Sequence, residues 1–196
     1  MKKIVPADAI LIPANAKRVF QGVIYDVYQW QQELFDGSEA TFEMLRRPDT
    51  VSVICIVDGK ILVLNDEQPN RGVRLSFPGG RADVEGEDML QAAQREVLEE
   101  TGYTFSKWRL IRVGQPQHKL EWFIYLFIAW DVEEVKEPQP DAGERITPQL
   151  LPLQEVKRLV ADERDLREAE GLFEDMKDVS DILTLSEFQG KEIEVA

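Results

Sequence analysis

The spacing of apolar residues divides the chain into a strand-rich front, one central helix and a helical tail. Residues 1–16 carry no clear period and read as irregular chain. Over residues 17–34, Val19, Val23, Tyr25 and Val27 take alternate positions, the pattern of a strand with one apolar face. Phe35-Asp36-Gly37-Ser38 marks a turn, and residues 39–45 return as the partner strand of a hairpin. Arg46-Arg47-Pro48 breaks the pattern. Residues 50–57 form an unbroken apolar run, suited to a strand buried on both faces. Asp58-Gly59 is a hairpin turn and residues 60–64 the returning strand. Residues 65–72 are polar and predict a loop, and residues 73–77 predict a strand that ends at Pro78-Gly79-Gly80.

Residues 80–103 then read as a glycine loop running into one helix. Leu90, Ala93 and Val97 share an arc that would face a core, and Gly102 follows the last turn, where a glycine commonly stops a helix. Strands are predicted over 108–113 and 121–132, joined by the loop 114–120. The second is aromatic, with Trp122, Phe123, Tyr125, Phe127 and Trp130 expected to serve core and sheet packing. Residues 133–145, with Pro138, Pro140 and Gly143, predict an acidic loop. Helices are predicted over 154–160, 166–176 and 178–188. This order of elements implies an α/β fold with a mixed sheet sandwiched between helices.

A chain of 196 residues can bury one substantial core with a small appendage. The formal charge of −14 argues against a general nucleic-acid binder, since no net basic field attracts phosphate backbones. A nucleotide substrate stays open, because a bound metal inverts the local charge. The single cysteine, Cys55, lies in the apolar run 50–57. It reads as a buried core thiol, which excludes an intramolecular disulfide and suits a cytoplasmic protein. Met-Lys-Lys is followed by Pro6, Asp8 and Pro13, so no signal peptide is expected. No apolar run approaches the ~20 residues of a membrane span, and no membrane partner is expected. His118, the only histidine, reads as a solvated loop residue or a phosphate contact.

The central helix carries the chemistry. At 100° per residue, Glu96, Glu99 and Glu100 fall within an arc of roughly 100°. Glu96 and Glu100 are like-charged i,i+4 neighbours near the helix C-terminus, where the macrodipole also disfavours anions. Arg95, i,i+4 to Glu99, relieves only part of this. A hard divalent cation, Mg²⁺ or Mn²⁺, reverses the argument: it takes oxygen ligands, commonly a few carboxylates together with substrate phosphates.

The run Arg95-Glu96-Val97-Leu98-Glu99-Glu100-Thr101-Gly102-Tyr103 resembles the second half of the Nudix box. Glu87 precedes Arg95 at the box spacing. Gly80 fills the opening glycine, with a one-residue insertion in the loop 81–86. The resemblance spans most of residues 45–190 and implies the Nudix α/β/α sandwich. It also implies a boundary: residues 1–45 as an N-terminal β-hairpin extension that dimerises in similar ADP-ribose pyrophosphatases, and residues 46–196 as the hydrolase domain.

By the same resemblance, Glu96, Glu99, Glu100 and the Gly80 carbonyl are metal ligands, and Arg95 and Glu87 fix loop against helix. Glu144, in the acidic loop after the long strand, is the catalytic base, with Glu99 assisting. Pro116 and Glu121 match substrate-side positions of ADP-ribose pyrophosphatases. Arg46, Arg47, Arg71 and Arg74 are candidates for phosphate or ribose contacts. Where those enzymes show Arg-Gln-Tyr-Arg before the box, this chain has Leu64-Asn65-Asp66-Glu67, with acids in place of the expected arginine. The implied activity is Mg²⁺-dependent hydrolysis of a nucleoside diphosphate linked to another moiety, with ADP-ribose giving AMP and ribose 5-phosphate. A nucleotide sugar such as GDP-mannose is the alternative substrate. A non-catalytic nucleotide sensor and a sanitiser of nucleoside triphosphates are the competing readings.

Overall fold

The computed structural model describes residues 2–69, 72–139, 143–161 and 166–194. Its centre is strand β5 (Thr50–Val57), whose side chains divide by parity. Val51, Val53, Cys55 and Val57 enter one core, and Ile54 enters another on the opposite face. Strand β10 (Ile124–Val135) runs parallel to β5 and divides the same way, with Tyr125, Phe127 and Ala129 against Leu126 and Ile128. A continuous apolar run is what a doubly covered strand requires.

Around this pair the central mixed sheet takes the order β11-β6-β5-β10-β8, with β6 at Lys60–Gln68, β8 at Tyr103–Gly114 and β11 at Arg145–Leu151. The β5–β6 turn places Asp58 and Gly59 both at positive φ, as a two-residue hairpin of this twist demands. Strand β7 (Gly72–Ser76) pairs with the far half of β6, where β5 has diverged. The following loop runs along the start of β5 instead: the Val53 and Val51 N–H groups donate to the carbonyls of Pro78 and Gly80 at 2.8 and 2.9 Å. A wedge is thereby driven between β5 and β6.

Helix α1 (Met89–Thr101) covers one face through Ala92, Ala93 and Val97, all fully buried. Asp88 caps its start, with a reciprocal bond from the Asp88 N–H to the Gln91 side chain. Gly102 ends it at φ 75°, its N–H donating to the Leu98 carbonyl at 2.9 Å. Helix α2 (Leu153–Ala161) and the segment 166–185 cover the other face through Leu153, Val156, Leu166, Ala169, Phe173, Val179 and Ile182. The layering is the expected α/β/α sandwich.

The front section departs from the expected strand over 17–34. That stretch is two strands, β2 (Lys17–Gln21) and β3 (Asp26–Glu33), turned at Gly22, whose N–H donates to the Tyr25 carbonyl at 3.0 Å. The expected hairpin around residues 35–38 joins β3 to β4 (Glu39–Arg46). It belongs to a four-stranded sheet, β2-β3-β4-β9, completed by the two residues of β9 (Leu120–Glu121). The strand expected over 121–132 therefore starts in one sheet and continues, as β10, in another. Residues 2–5, expected to be irregular, form β1 and pair with β12 (Lys191–Glu194), and Val5 is buried in the α1-side core.

The remaining differences lie in the polar and C-terminal segments. Residues 65–68 extend β6 despite their polarity, and a strand covers Arg145–Leu151, of which 146–151 lie outside any element predicted above. Residues 166–176 are not an α-helix. A single 3-10 turn, Arg167–Ala169, is followed by Gly171 at φ 71°. The carbonyls a helix would consume are taken by distant cations: Arg112 holds those of Glu168 and Glu170, and Lys157 those of Glu174 and Met176. Residues 178–188 hold a 3-10 helix, Val179–Thr184, capped by Asp178.

At Gly102 a Cβ would collide with the Lys136 carbonyl oxygen, and the positive φ adds strain of its own. Gly102→Ala is expected to lower unfolding stability by about 1–3 kcal/mol in urea titrations. A midpoint unchanged from wild type would contradict this packing.

Candidate active site

Anchored by Ala92, Ala93 and Val97, helix α1 presents Glu96 and Glu100 to the wedge loop. Two glycines let that loop come close. A Cβ on Gly79, at φ 153°, would collide with the Val51 carbonyl, and a Cβ on Gly80 would lie 2.6 Å from the Glu96 carboxylate atoms. Gly79 uses this proximity: its N–H donates to Glu100 Oε2 at 2.7 Å. Glu100 is only 9% exposed. Burial, and then the charges of Glu96, Glu144 and Asp66, push its carboxyl up to about 9 against the lowering effect of the Gly79 N–H. Glu96 is also raised, chiefly by burial, with Glu99 and Glu144 adding to it and Arg95 opposing it.

Arg95 is the counter-charge of the site. Its guanidinium clasps both oxygens of Glu87 at 2.9 and 3.0 Å, and reaches Glu96 at 2.8 Å, Glu99 at 3.2 Å and the Arg81 carbonyl at 3.1 Å. The inserted residue in the loop 81–86 leaves this clasp intact. Glu99 is the more exposed acid of the three. Across from the helix, the Gln68 amide donates to Asp66 Oδ2 at 3.2 Å and to Glu144 Oε1 at 3.3 Å. Asp66 and Gln68 escaped the sequence analysis because their polarity read as loop. Strand alternation through 65–68 would have placed them on one face.

A cleft of about 1040 Å³ opens beside the wedge, lined by Arg74 and Ser76 of β7, Pro116, Trp122, Arg112 and the segment 166–171, among others. Arg74 and Pro116 of the expected substrate-side residues line it. Glu121 does not: it is buried, clasped by Arg46 at 2.8–2.9 Å, and accepts from the Ile12 N–H at 2.6 Å. In the structure it ties β4, β9 and the N-terminal segment together. Arg47 stands behind the cleft, its guanidinium 4.7 Å from the Trp122 ring centroid and 5.8 Å from that of Tyr25. Arg71 lies outside the described residues. His118 sits on the exposed loop before β9 and is not part of the cleft lining.

Residues 46–170, which contain the wedge, α1 and most of the cleft, match the NUDIX domain family model. The chain belongs to the Nudix family. It is 28% identical over 149 residues to an ADP-ribose pyrophosphatase of Bacillus subtilis (strain 168), covering 74% of this chain and 80% of the relative. It is likewise 28% identical over 119 residues to a methanol dehydrogenase activator of Bacillus methanolicus, covering 59% of this chain and 63% of that protein. A solved ADP compounds hydrolase shares the fold, with a TM-score of 0.66 at 21% identity over 85% of this chain and 94% of that one. The chain is thus a Nudix hydrolase related to the ADP-ribose pyrophosphatase.

Nudix hydrolases generally use a divalent metal. The donors around this box fit such an ion in kind: hard carboxylate oxygens in excess of the one guanidinium, while the Gly80 carbonyl accepts from the Val51 N–H. Among the described residues no three acids, histidines or cysteines converge on one point as they stand. Glu96 is engaged by Arg95 and Glu100 by Gly79, so ligation means exchanging those contacts.

The elevated Glu100 carboxyl gives a signed prediction. Its folded value, about 9, exceeds its ordinary 4.5. The stability it contributes is therefore complete below pH ~4.5 and lost as pH climbs toward 9. In chelator, the melting temperature should fall between pH 6 and pH 9, and Glu100→Gln should flatten that fall. An equal slope in both proteins would remove Glu100 as its source.

Proposed function

We propose that this Nudix hydrolase cleaves the pyrophosphate bond of a nucleoside diphosphate linked to another moiety, with Mg²⁺ or Mn²⁺, and that ADP-ribose is the favoured substrate. The observation that carries the proposal is the meeting of Glu144 with the box: its negative charge reaches both the half-buried Glu96 and the buried Glu100, each already raised by desolvation. Such crowding is unfavourable in the isolated chain. A divalent cation bound there would neutralise it, offset the diphosphate charge and polarise a water.

In this reading Glu96, Glu99, Glu100 and the Gly80 carbonyl hold the cation. Arg95 and Glu87 keep the loop against the helix, so that the Gly80 carbonyl and the carboxylates share one side of the wedge. Glu144 takes the proton from the attacking water. Gln68 orients Glu144 by donating to Oε1. The cleft beside the wedge receives the nucleotide, with Arg74 and Pro116 in its wall. Arg47 lends its charge from behind Trp122. The relative named for ADP-ribose hydrolysis supports the choice of substrate.

A homodimer is part of the same proposal. Strand β2 is an edge strand whose five residues are all exposed, Val19 and Phe20 among them, and Val23 of the next turn is fully exposed. An exposed apolar edge of this kind favours pairing with another chain. The front sheet would then be the dimerising extension, and residues 46–196 together with β1 the hydrolase domain. Phe20→Asp is expected to shift light-scattering mass from two chains to one. A wild-type protein that is already monomeric would end this part of the proposal.

Purified protein should hydrolyse ADP-ribose to AMP and ribose 5-phosphate with Mg²⁺ and stop in chelator. Glu96→Gln, Glu100→Gln and Glu144→Gln should each lower turnover by ~10²–10⁴-fold. Loss of the acidic limb of the pH–rate profile in Glu144→Gln identifies it as the base. Near-normal turnover of that variant would exclude it. Absence of turnover on ADP-ribose, GDP-mannose and nucleoside triphosphates alike would reject the enzyme assignment.

A further inference from the structure

None of the box acids lines the cleft. Arg74 links the two: it lines the cleft and is in register with Asp66 of β6, whose charge reaches Glu100. Elsewhere the cleft lining holds a fixed ring and a fixed acid that the reaction above does not use. The Trp122 indole is held twice, by its N–H donating to Thr50 Oγ1 at 2.9 Å and by the Arg47 guanidinium over one face at 4.7 Å. Glu168 belongs to the 3-10 turn Arg167–Ala169. Leu166 and Ala169, which flank it, are 3% and 0% exposed in the α2-side core, so the rotation of the turn is set. Arg112 clamps the same turn by donating to the Glu168 and Glu170 carbonyls at 3.0 and 2.9 Å.

The Glu168 side chain is thereby presented in the cleft lining. Among the described residues no cation forms an ion pair with it. Burial raises its carboxyl more than its own N–H and Arg167 lower it. A rigidly mounted acid with spare acceptor capacity, sharing a cleft with an immobilised aromatic plane, suits a flat ligand that carries amine hydrogens on its edge. The cleft volume, about 1040 Å³, accommodates a nucleoside diphosphate.

We propose that Glu168 reads the nucleobase: the base lies against Trp122, its ring-edge amine donates to the Glu168 carboxyl, and the diphosphate runs toward Arg74 and the box. Arg112 is the positioning residue that holds Glu168 in place. This inference rests on the cleft being the nucleotide site of the function proposed above. It adds a criterion for which base is accepted, because a site built to receive a hydrogen bond discriminates against an analogue that lacks the donor.

The test compares AMP with purine riboside 5′-monophosphate, which differs only in lacking the amine, by calorimetry on the full chain without metal. Wild type should bind AMP more tightly by roughly tenfold or more. Glu168→Ala should bind the two equally. Glu168→Gln, whose amide oxygen still accepts, should keep the preference, and Arg112→Met should weaken it. A melting curve confirms that each variant is folded. With ADP-ribose as substrate, the loss in Glu168→Ala should appear in KM rather than in kcat. Equal affinities in wild type, the same ratio in Glu168→Ala, or no AMP binding at all would overturn the proposal. Metal-dependent turnover with equal affinities would reject base reading alone. Amine discrimination without turnover would reject the hydrolase reading and leave base reading standing.

Discussion

The hydrogen bond from the Gly79 N–H to the buried Glu100 carboxylate joins the three parts on which the site depends. It ties the helix that carries the acids to the loop that crosses them. The loop in turn is bonded to β5 through the carbonyls of Pro78 and Gly80. Each partner demands something of the rest. The helix must be seated by small side chains, which Ala92 and Ala93 supply, so that Glu96 and Glu100 reach the loop. The loop must lack side chains at two successive positions, or it would strike β5 on one side and Glu96 on the other. β5 must part from β6 to make room, and β7 fills the gap on the β6 edge. The split in the sheet is thus a consequence of placing backbone against carboxylate, and the cleft opens at the same split.

Much of this could be read in the residues. The helix and its acids follow from spacing alone, and β5 declares itself as an apolar run. What escaped reading has physical causes. Residues 65–68 are polar because one face of that strand, with Asp66 and Gln68, looks onto the acid set; polarity in a strand next to a site mimics a loop. Residues 166–176 have the period of a helix, but Arg112 and Lys157 bond the carbonyls that an α-helix would use. Those cations lie far away in sequence, so no local window contains the information. Glu121 matched a substrate-side position by motif, yet its burial among Arg46 and the Ile12 N–H is a tertiary fact. The pairing of β1 with β12 joins opposite ends of the chain and is equally hidden.

Arginine serves three different purposes here, and its context separates them. Arg95 is surrounded by carboxylates and neutralises them. Arg109 and Arg112 on β8 donate to main-chain carbonyls of the tail and replace the regular hydrogen bonds that this segment lacks. Arg47 lies over aromatic rings, with its Nε buried and unbonded among the described residues. A guanidinium meets all three needs because it is planar, permanently charged and rich in donors, and a lysine at these positions would meet fewer of them.

The parallel pairing of β5 with β10 sets residue 50 beside residue 124 and encloses the whole box in the intervening chain. Closing so long a loop is entropically costly and slow relative to local hairpins. The β5–β6 hairpin and the helix can form early, but the acids cannot be desolvated until β10 docks and completes the sheet. Electrostatic crowding is therefore imposed only once this long-range pairing is made. The molecule assembles its scaffold before it meets the repulsion, so the chemistry it carries need not slow the path by which it folds.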